Sequence, residues 1–341
     1  MRRCISLALN AEGRTYPNPM VGAVIVYNDR IIGEGWHHKA GQPHAEVNAV
    51  NSVLIPDRKF LPASTIYVSL EPCAHYGKTP PCAELIIRTH FRRVVVGCKD
   101  SFKEVSGKGI DMIRRAGIEV KVSVLEEQCR HLNRRFFAMQ ELARPYITLK
   151  WAETADGFIG MRVGDDPVPV NISDSVCRSF AHHLRHTEQA ILVGVSTVVA
   201  DNPSLNTRYW TGNSPRIFVI DPHSRCPQNA KIFFASIPPT LFVDKSTKTS
   251  GTDKVPIDFS SPDSLSEVVK HIASLGLQSV LVEGGAFTLS RFIEAGLYDE
   301  IHVFKSAELL GDGIKAPTIP HATLLSDERV GNCRLMKWKK L

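Results

Sequence analysis

His44 and Glu46 stand two residues apart in "PHAEVNAV", and "EPCAHYGKTPPCAEL" then supplies Cys73 and Cys82. An imidazole and two thiols form a zinc ligand set of the catalytic kind. It has three protein donors at roughly tetrahedral angles and a fourth position left for water. Zinc lowers the pKa of that water from ~16 toward ~7. To displace an amine from an aromatic ring carbon, such a water needs a partner that moves protons. The partner takes one from the water, then delivers protons to the ring nitrogen and the leaving ammonia. Glu46 can do this if it stays off the metal, so the spacing predicts a proton shuttle there. Cys82 follows Pro80-Pro81 and opens "CAELIIRTH". A helix N-terminus at that point favours the thiolate a zinc ligand requires.

The order H-x-E, then P-C, then a second Cys is the zinc nucleobase deaminase signature, in which two residues usually separate the cysteines. Here "AHYGKTPP" separates them, and it holds His75, Lys78 and Thr79, which suit an anionic group. Asn18, between the prolines of "YPNPMVGAVIV", makes a rigid polar loop before a strand, placed to read a base edge. The competing reading is a structural zinc, which would want a fourth ligand from His37, His38 or His75.

These residues need elements to hold them. "CISLALNA" has helical spacing, and Val21 to Tyr27 and Ile31 to Trp36 read as a hairpin around Asn28-Asp29. "AEVNAVNSVL", "CAELIIRTH" and "GIDMIRRAG" read as helices; "STIYVSL", "RRVVVGC" and "IEVKVSVL" read as strands. "EEQCRHLNRRFFAMQELA" reads as one long helix closed by Arg144-Pro145, which places a domain boundary between residues 1–144 and 145–341. A second α/β alternation begins at "YITLKWA". It continues through a helix opened by Ser173 or Asp174, the strands "QAILVGV", "RIFVID", "TLFVD" and "SVLVEGG", and the helices "SLSEVVKHIASLG" and "FTLSRFIEAG". Two α/β domains in series are expected, as 341 residues are many for one core.

Composition excludes several classes. The net charge of +6 suits a phosphorylated small molecule as readily as nucleic acid, and no Lys/Arg block selects the latter. The apolar run in "MRRCISLALNAEGR" is too short for a secretory signal, and no stretch approaches a membrane span, so a cytoplasmic protein is expected. Eight cysteines without a secretory signal argue against a disulfide framework. Cys98 and Cys333 read as small buried residues.

Residues beyond 145 signal less sharply. "SVLVEGGAFTLSRF" is a strand, Gly284-Gly285 and a helix, a turn at which phosphate oxygens can approach backbone N–H groups, though it is not G-x-G-x-x-G. Thr197, Asp201, Asn202 and Arg208 form a second polar set that could bind a ribose phosphate.

Together, "NPMVGAVIV", "GEGWHHKAGQPHAEVNAV", "YVSLEPCAHYGKTPPCAELI", "LVGVSTVVADNPSL" and "VEGGAFTLSRFIEAGLYDE" closely resemble the bifunctional riboflavin-biosynthesis deaminase–reductases, over nearly the whole chain. The long cysteine interval is a specific mark of that family. The resemblance implies a cytidine-deaminase-like three-layer domain followed by a dihydrofolate-reductase-like α/β domain. It implies zinc-dependent deamination of 2,5-diamino-6-ribosylamino-4(3H)-pyrimidinone 5′-phosphate, then NADPH reduction of the ribosyl side chain to ribityl. By the resemblance, His44, Cys73 and Cys82 hold zinc and Glu46 is the proton donor. Asn18, His37 or His38, His75 and Lys78 touch the first substrate, with Thr79 beside them. In the second domain, Arg185, Leu205, Arg208 and Glu283 hold the substrate, the arginines facing its phosphate. Glu153, Thr197, Asp201, Gly284 and the segment Gly285, Ala286, Phe287, Thr288, Leu289, Ser290 and Arg291 contact the cofactor. Lys150 and Asp156 lie beside the reacting carbon.

Departures from the family pattern stand at "KDSFKEVSGKG", at "VNIS" (170–173) and at "AELLG" (307–311). Three rivals follow: a tRNA or nucleoside deaminase, a zinc-stapled scaffold, and a deaminase whose reductase domain has drifted to inactivity. A homo-oligomer, dimer or tetramer, is expected, and the late strand in "EIHVFKSAELL" is a candidate for pairing across subunits.

Overall fold

The computed structural model describes residues 1–76, 80–101, 106–164, 166–168, 170–247 and 253–341. Lys78 and Thr79 lie outside them. The chain divides into two compact units, Met1–Ala143 and Arg144–Leu341.

In the first unit, α1 (Arg2–Leu9) precedes the hairpin β1 (Gly22–Tyr27) and β2 (Arg30–Trp36), followed by α2 (Ala45–Asn51), β3 (Thr65–Leu70), α3 (Cys82–Arg88), β4 (Arg93–Cys98), α4 (Lys108–Arg115), β5 (Glu119–Lys121), α5 (Glu126–Leu132) and α6 (Arg134–Leu142). Asn28 and Asp29 take φ of +44° and +58°, as a tight hairpin turn needs. The sheet order is β2-β1-β3-β4-β5, antiparallel up to β3 and parallel beyond it. Ala45 and Ala49 of α2, Ile25 of β1 and Ile66 and Val68 of β3 are buried in one core. Small residues on α2 let it lie close to the sheet, which fixes where its N-terminus points.

Two expectations fail here. The strand expected over "IEVKVSVL" pairs only at Glu119–Lys121. The long helix expected before residue 144 is two helices. Asn133 leaves helical geometry (φ −106°, ψ 23°), its Oδ1 accepting from the Met20 amide at 2.7 Å and its Nδ2 donating to the Met20 carbonyl at 2.9 Å. An Asn side chain used elsewhere is a poor helix-interior residue, and the break falls on it.

The second unit begins with β6 (Tyr146–Glu153), then β7 (Phe158–Val163) and β8 (Asp166–Val168), α7 (Ser175–Thr187), β9 (Ala190–Gly194) and α8 (Val195–Asp201). After them come β10 (Arg216–Ile220), β11 (Thr240–Asp244), β12 (Lys254–Ile257), α9 (Ser264–Ser274), β13 (Ser279–Glu283), α10 (Ala286–Glu294), β14 (Glu300–Ser306), β15 (Ile314–Lys315), and the hairpin β16 (Ala322–Val330) and β17 (Cys333–Lys340). Nine strands form one sheet in the order β12-β11-β10-β9-β13-β6-β14-β17-β16, and β15, β7 and β8 form a small one. The central strands read as unbroken apolar runs because both faces are covered. On β9, Ala190 and Leu192 enter one core while Ile191 and Val193 enter the other, and on β13 Val280 and Val282 part from Leu281 in the same way. Asp174 opens α7, its side chain accepting from the Cys177 amide at 2.8 Å.

The late strand β14 cannot pair across subunits. β6 takes one of its edges and β17 the other, so its backbone groups are spent within the chain. Cys98 and Cys333 are buried, as expected of both.

Candidate active sites

Three local decisions bring the first unit's donors together. His44 is the last extended residue before α2 (φ −72°, ψ 166°), so its ring leaves the helix end. Cys82 begins α3, and Cys73 lies on the loop that follows β3. The Ala83 amide donates to the Cys73 carbonyl at 3.1 Å, and the Cys82 amide donates to Cys73 Sγ at 3.3 Å. His44 Nδ1 lies 3.6 Å from Cys73 Sγ and 3.4 Å from Cys82 Sγ, and all three donor atoms fall within 4.8 Å of one another.

A tetrahedral zinc with bonds of about 2.3 Å to sulfur and about 2.05 Å to nitrogen places those donors roughly 3.5–3.8 Å apart. The residues present fit the ion. Among the described residues, Glu46 is not a fourth member of the group. It is 3% exposed, in the first turn of α2, and burial, reinforced by Cys73, pushes its carboxyl up to about 7.

A cavity of about 270 Å³ opens onto these groups, lined also by Asn18, His37, His75 and Asp100. His37 Nδ1 meets the Pro43 carbonyl at 3.2 Å and its Nε2 meets Asn18 Nδ2 at 3.1 Å. An Nδ1–H tautomer satisfies both contacts, and burial holds the ring's pKa below its usual value. His37 therefore aims Asn18. His38 does not share the cavity: it is exposed and lies against the Trp36 ring at 4.5 Å. Sequence reasoning missed Glu71, Asp100, Phe136 and Gln140, which also line it. A signal existed for two of them. Glu71 and Asp100 follow the carboxyl ends of the paired parallel strands β3 and β4, where open α/β sheets place their sites.

The second unit gathers charges rather than thiols. Lys150 on β6 stands in register with Glu283 at the end of β13. Arg185 of α7 clasps Glu283 through both carboxylate oxygens, at 3.1 and 2.8 Å, and also donates to the Asn206 carbonyl at 3.2 Å. Burial would raise Glu283, but Arg185 and Lys150 outweigh it and hold the carboxyl down at about 2. Burial lowers the Lys150 ammonium pKa, with Arg185 adding to it against Glu283. Arg208 joins through Asn206 Oδ1 at 3.0 Å, and Leu205 is buried at a φ of +50°.

His182, one helical turn before Arg185, was not anticipated. Its Nδ1 accepts from the Tyr209 amide at 3.4 Å, and burial with Arg185 and Arg208 drives its pKa down to about 4. The doubled histidine of "AHHLRH" was the available signal.

Several expected contacts are otherwise engaged. Thr197 Oγ1 accepts from the Gly285 amide at 3.0 Å, so that N–H is not free for a phosphate. Gly284 has a φ of +137°, and a Cβ there would lie 2.9 Å from Thr197 Oγ1, so α8 packs tightly on the glycine turn. Asn202 Oδ1 accepts from the Lys231 amide at 2.8 Å, which removes it from the ribose-phosphate set. Asp201 is exposed at the end of α8.

On α10, Leu289 is fully buried in the core, Thr288 is buried, and Ser290 is half-buried. Phe287 stands out, and Arg291 is exposed beside Glu294. The helix starts at Ala286 with no side-chain cap, so its remaining first-turn amides suit a dinucleotide phosphate. Glu153 takes Trp151 Nε1 at 2.9 Å and Lys305 Nζ at 3.2 Å. Asp156 is tied to the Thr154 hydroxyl at 2.5 Å and to the Leu310 and Gly311 amides at 3.1 and 2.7 Å. These bonds hold its pKa at about 2. Its contacts are those of a loop anchor in "AELLG", not of a partner to Lys150.

Among the described residues, no helix is long and apolar enough to cross a membrane. The family described as "RibD C-terminal domain" matches residues 145–341, and "Cytidine and deoxycytidylate deaminase zinc-binding region" matches residues 1–98. The chain is 39% identical to riboflavin biosynthesis protein RibD of Aquifex aeolicus, over 92% of this chain and 88% of that one. A diaminohydroxyphosphoribosylaminopyrimidine deaminase/5-amino-6-(5-phosphoribosylamino)uracil reductase from Thermotoga maritima superposes with a TM-score of 0.89 at 32% identity, covering 100% and 97% of the two chains. Acinetobacter baumannii RibD superposes with a TM-score of 0.86 at 31% identity, covering 99% and 97%.

Proposed function

The chain belongs to the RibD family of riboflavin-biosynthesis proteins, and from that membership and its two sites we propose how it divides the work. It is a bifunctional deaminase–reductase that uses zinc and NADPH. The first unit takes a diaminohydroxyphosphoribosylaminopyrimidine into the cavity beside His44. The second reduces the ribosyl side chain of the resulting 5-amino-6-(5-phosphoribosylamino)uracil. The observation that carries this reading is the meeting of His44, Cys73 and Cys82 at zinc-donor spacing, with Glu46 buried beside them.

When bound, zinc supplies a water acidic enough to ionise near neutral pH. Glu46 carries that water's two protons in turn, the first to the ring nitrogen and the second to the amino group that departs as ammonia. Asn18, fixed by His37, hydrogen-bonds the edge of the pyrimidine, and His75 at the cavity's rim faces the anionic side chain. In the second unit NADPH supplies the hydride. Lys150 polarises the sugar oxygen, Glu283 positions the sugar, and Arg208 with Arg185 balances the phosphate. Thr197 holds the glycine turn over which the cofactor lies.

A tRNA deaminase is disfavoured: the cavity of about 270 Å³ suits one nucleotide-sized molecule, and the sequence holds no Lys/Arg block of the kind that marks a nucleic-acid surface. The protein acts in the cytoplasm as a homo-oligomer. Mass spectrometry of the pyrimidine after incubation with zinc-loaded protein tests the scheme. The expected result is an amino-to-oxo change without NADPH and a gain of two hydrogens with it. Deamination that stops there would sink the reductase half, and no change at all would sink the substrate.

A further inference from the structure

Deamination as described leaves two buried carboxylates of the first cavity unused, Glu71 and Asp100, and the first of them is bound to the backbone around the second. Glu71 is 4% exposed and stands two residues before Cys73. Its Oε2 accepts from the amides of Asp100 at 3.3 Å and Gly107 at 3.0 Å, and its Oε1 from those of Gly109 at 3.1 Å and Ile110 at 3.4 Å. Two of those four amides are in the first turn of α4, a third is on Gly107 just before that helix, and the fourth follows β4.

A helix start is ordinarily closed by a side chain of its own N-cap residue. Gly107, the residue in that position of α4, has none, and the cap comes instead from a residue far back in the sequence beside a metal ligand. The contact is tight: a Cβ on Gly109 would lie 1.9 Å from the Pro72 carbonyl oxygen. α4 thus grips the Glu71-Pro72-Cys73 segment at a side chain and at a backbone oxygen.

We propose that Glu71 is a positioning residue for the metal. Its carboxylate bolts the Cys73 loop to α4, so that Sγ is held at donor distance from His44 before any ion arrives. It also fixes the backbone of Asp100, whose residue lines the same cavity. Outer groups that orient ligands commonly govern affinity as the ligands do. The proposal rests on the zinc reading of His44, Cys73 and Cys82.

Glu71→Gln keeps the volume but turns an NH2 donor toward donors. Chelator competition should show zinc held roughly 10- to 100-fold more weakly, and the cobalt-substituted protein should show a shifted thiolate charge-transfer band. Wild-type hydrogen-exchange protection of β1, β3 and β4 in the variant reports that the first unit is folded. Wild-type zinc affinity with a wild-type cobalt spectrum overturns the proposal. So does a lowered Tm with both unchanged, since that is a purely structural role. Should the variant not fold, hydrogen exchange on the wild-type protein decides. Slower exchange at Gly107, Gly109 and Ile110 with zinc than without supports the coupling, and equal exchange overturns it. Wild-type protein that takes up no zinc would instead remove the metal reading itself, and the proposal with it.

Discussion

The zinc-donor cluster of the first unit draws on residues 44–82, from two helix starts and one loop. The charged cluster of the second draws on β6, α7, the 205–208 segment and the end of β13, spread over residues 150–283. The first needs particular atoms, because only nitrogen and sulfur donors hold zinc in that geometry. The second needs a field and a shape, because the hydride belongs to the cofactor. A site whose chemistry dictates residue types can be built from a short motif. One that mainly orients a cofactor can be built from whatever charges a sheet brings together.

The sharpest test of that contrast is removal of one donor. Cys82→Ala should abolish zinc retention and ammonia release while NADPH oxidation on the uracil intermediate continues, read by metal analysis and two separate assays. Glu46→Gln should cut ammonia release by about 100- to 10,000-fold with zinc still bound. A variant that deaminates normally would mean that the carboxylate merely packs.

In the second unit the large effect should fall on stability. Arg185→Met leaves the Glu283 carboxylate buried without its partner and should cost about 3–5 kcal/mol in denaturant unfolding. The double variant Arg185→Met/Glu283→Met should recover only part of that, because it removes the lone carboxylate but leaves the Lys150 ammonium buried without Glu283. The same pair fixes a pH dependence. Glu283 titrates at about 2 when folded and near ~4.3 when unfolded. Its contribution is therefore complete above ~4.3 and is lost as pH falls toward 2. A Glu283→Gln protein should lack that component of acid unfolding. The smallest effect expected is Thr197→Val, which leaves the Gly285 amide without its acceptor. It should cost about 1 kcal/mol and raise the KM for NADPH without touching ammonia release.

How much the sequence discloses follows the same divide. His44, Glu46, Cys73 and Cys82 are legible because spacing and residue type point to a single chemistry. His37 and His38 are adjacent and chemically alike, so only the fold separates the one that holds Asn18 from the one lying on Trp36. Glu153 was expected to touch the cofactor and Asp156 to stand beside the reacting carbon, and their oxygens go to Trp151 and Lys305 and to a loop. Lys305, Leu310 and Gly311 are remote in sequence and leave no local trace. Asn133 is instructive for a different reason. It was one residue in a convincing helical pattern, and its bonds to Met20, far away in the chain, decided the break. The hairpin β16–β17 went unread although Gly331-Asn332 punctuates it, because its exposed strand lacks apolar alternation.

The seat of β17 has a consequence for how the protein is made. This strand is slotted between β14 and β16 and buries Leu335, so the sheet stays unfinished until Lys340 has left the ribosome. By then the whole first unit, which ends at Ala143, has been made for nearly two hundred residues of synthesis, a head start of roughly 10–40 s at typical elongation rates. Once made, β14 waits with one apolar edge open while the stretch from residue 307 to Lys340 is added. The deaminase half can mature while the reductase sheet is still incomplete, and until β17 arrives the open edge of β14 is the one most exposed to chaperones and to mispairing.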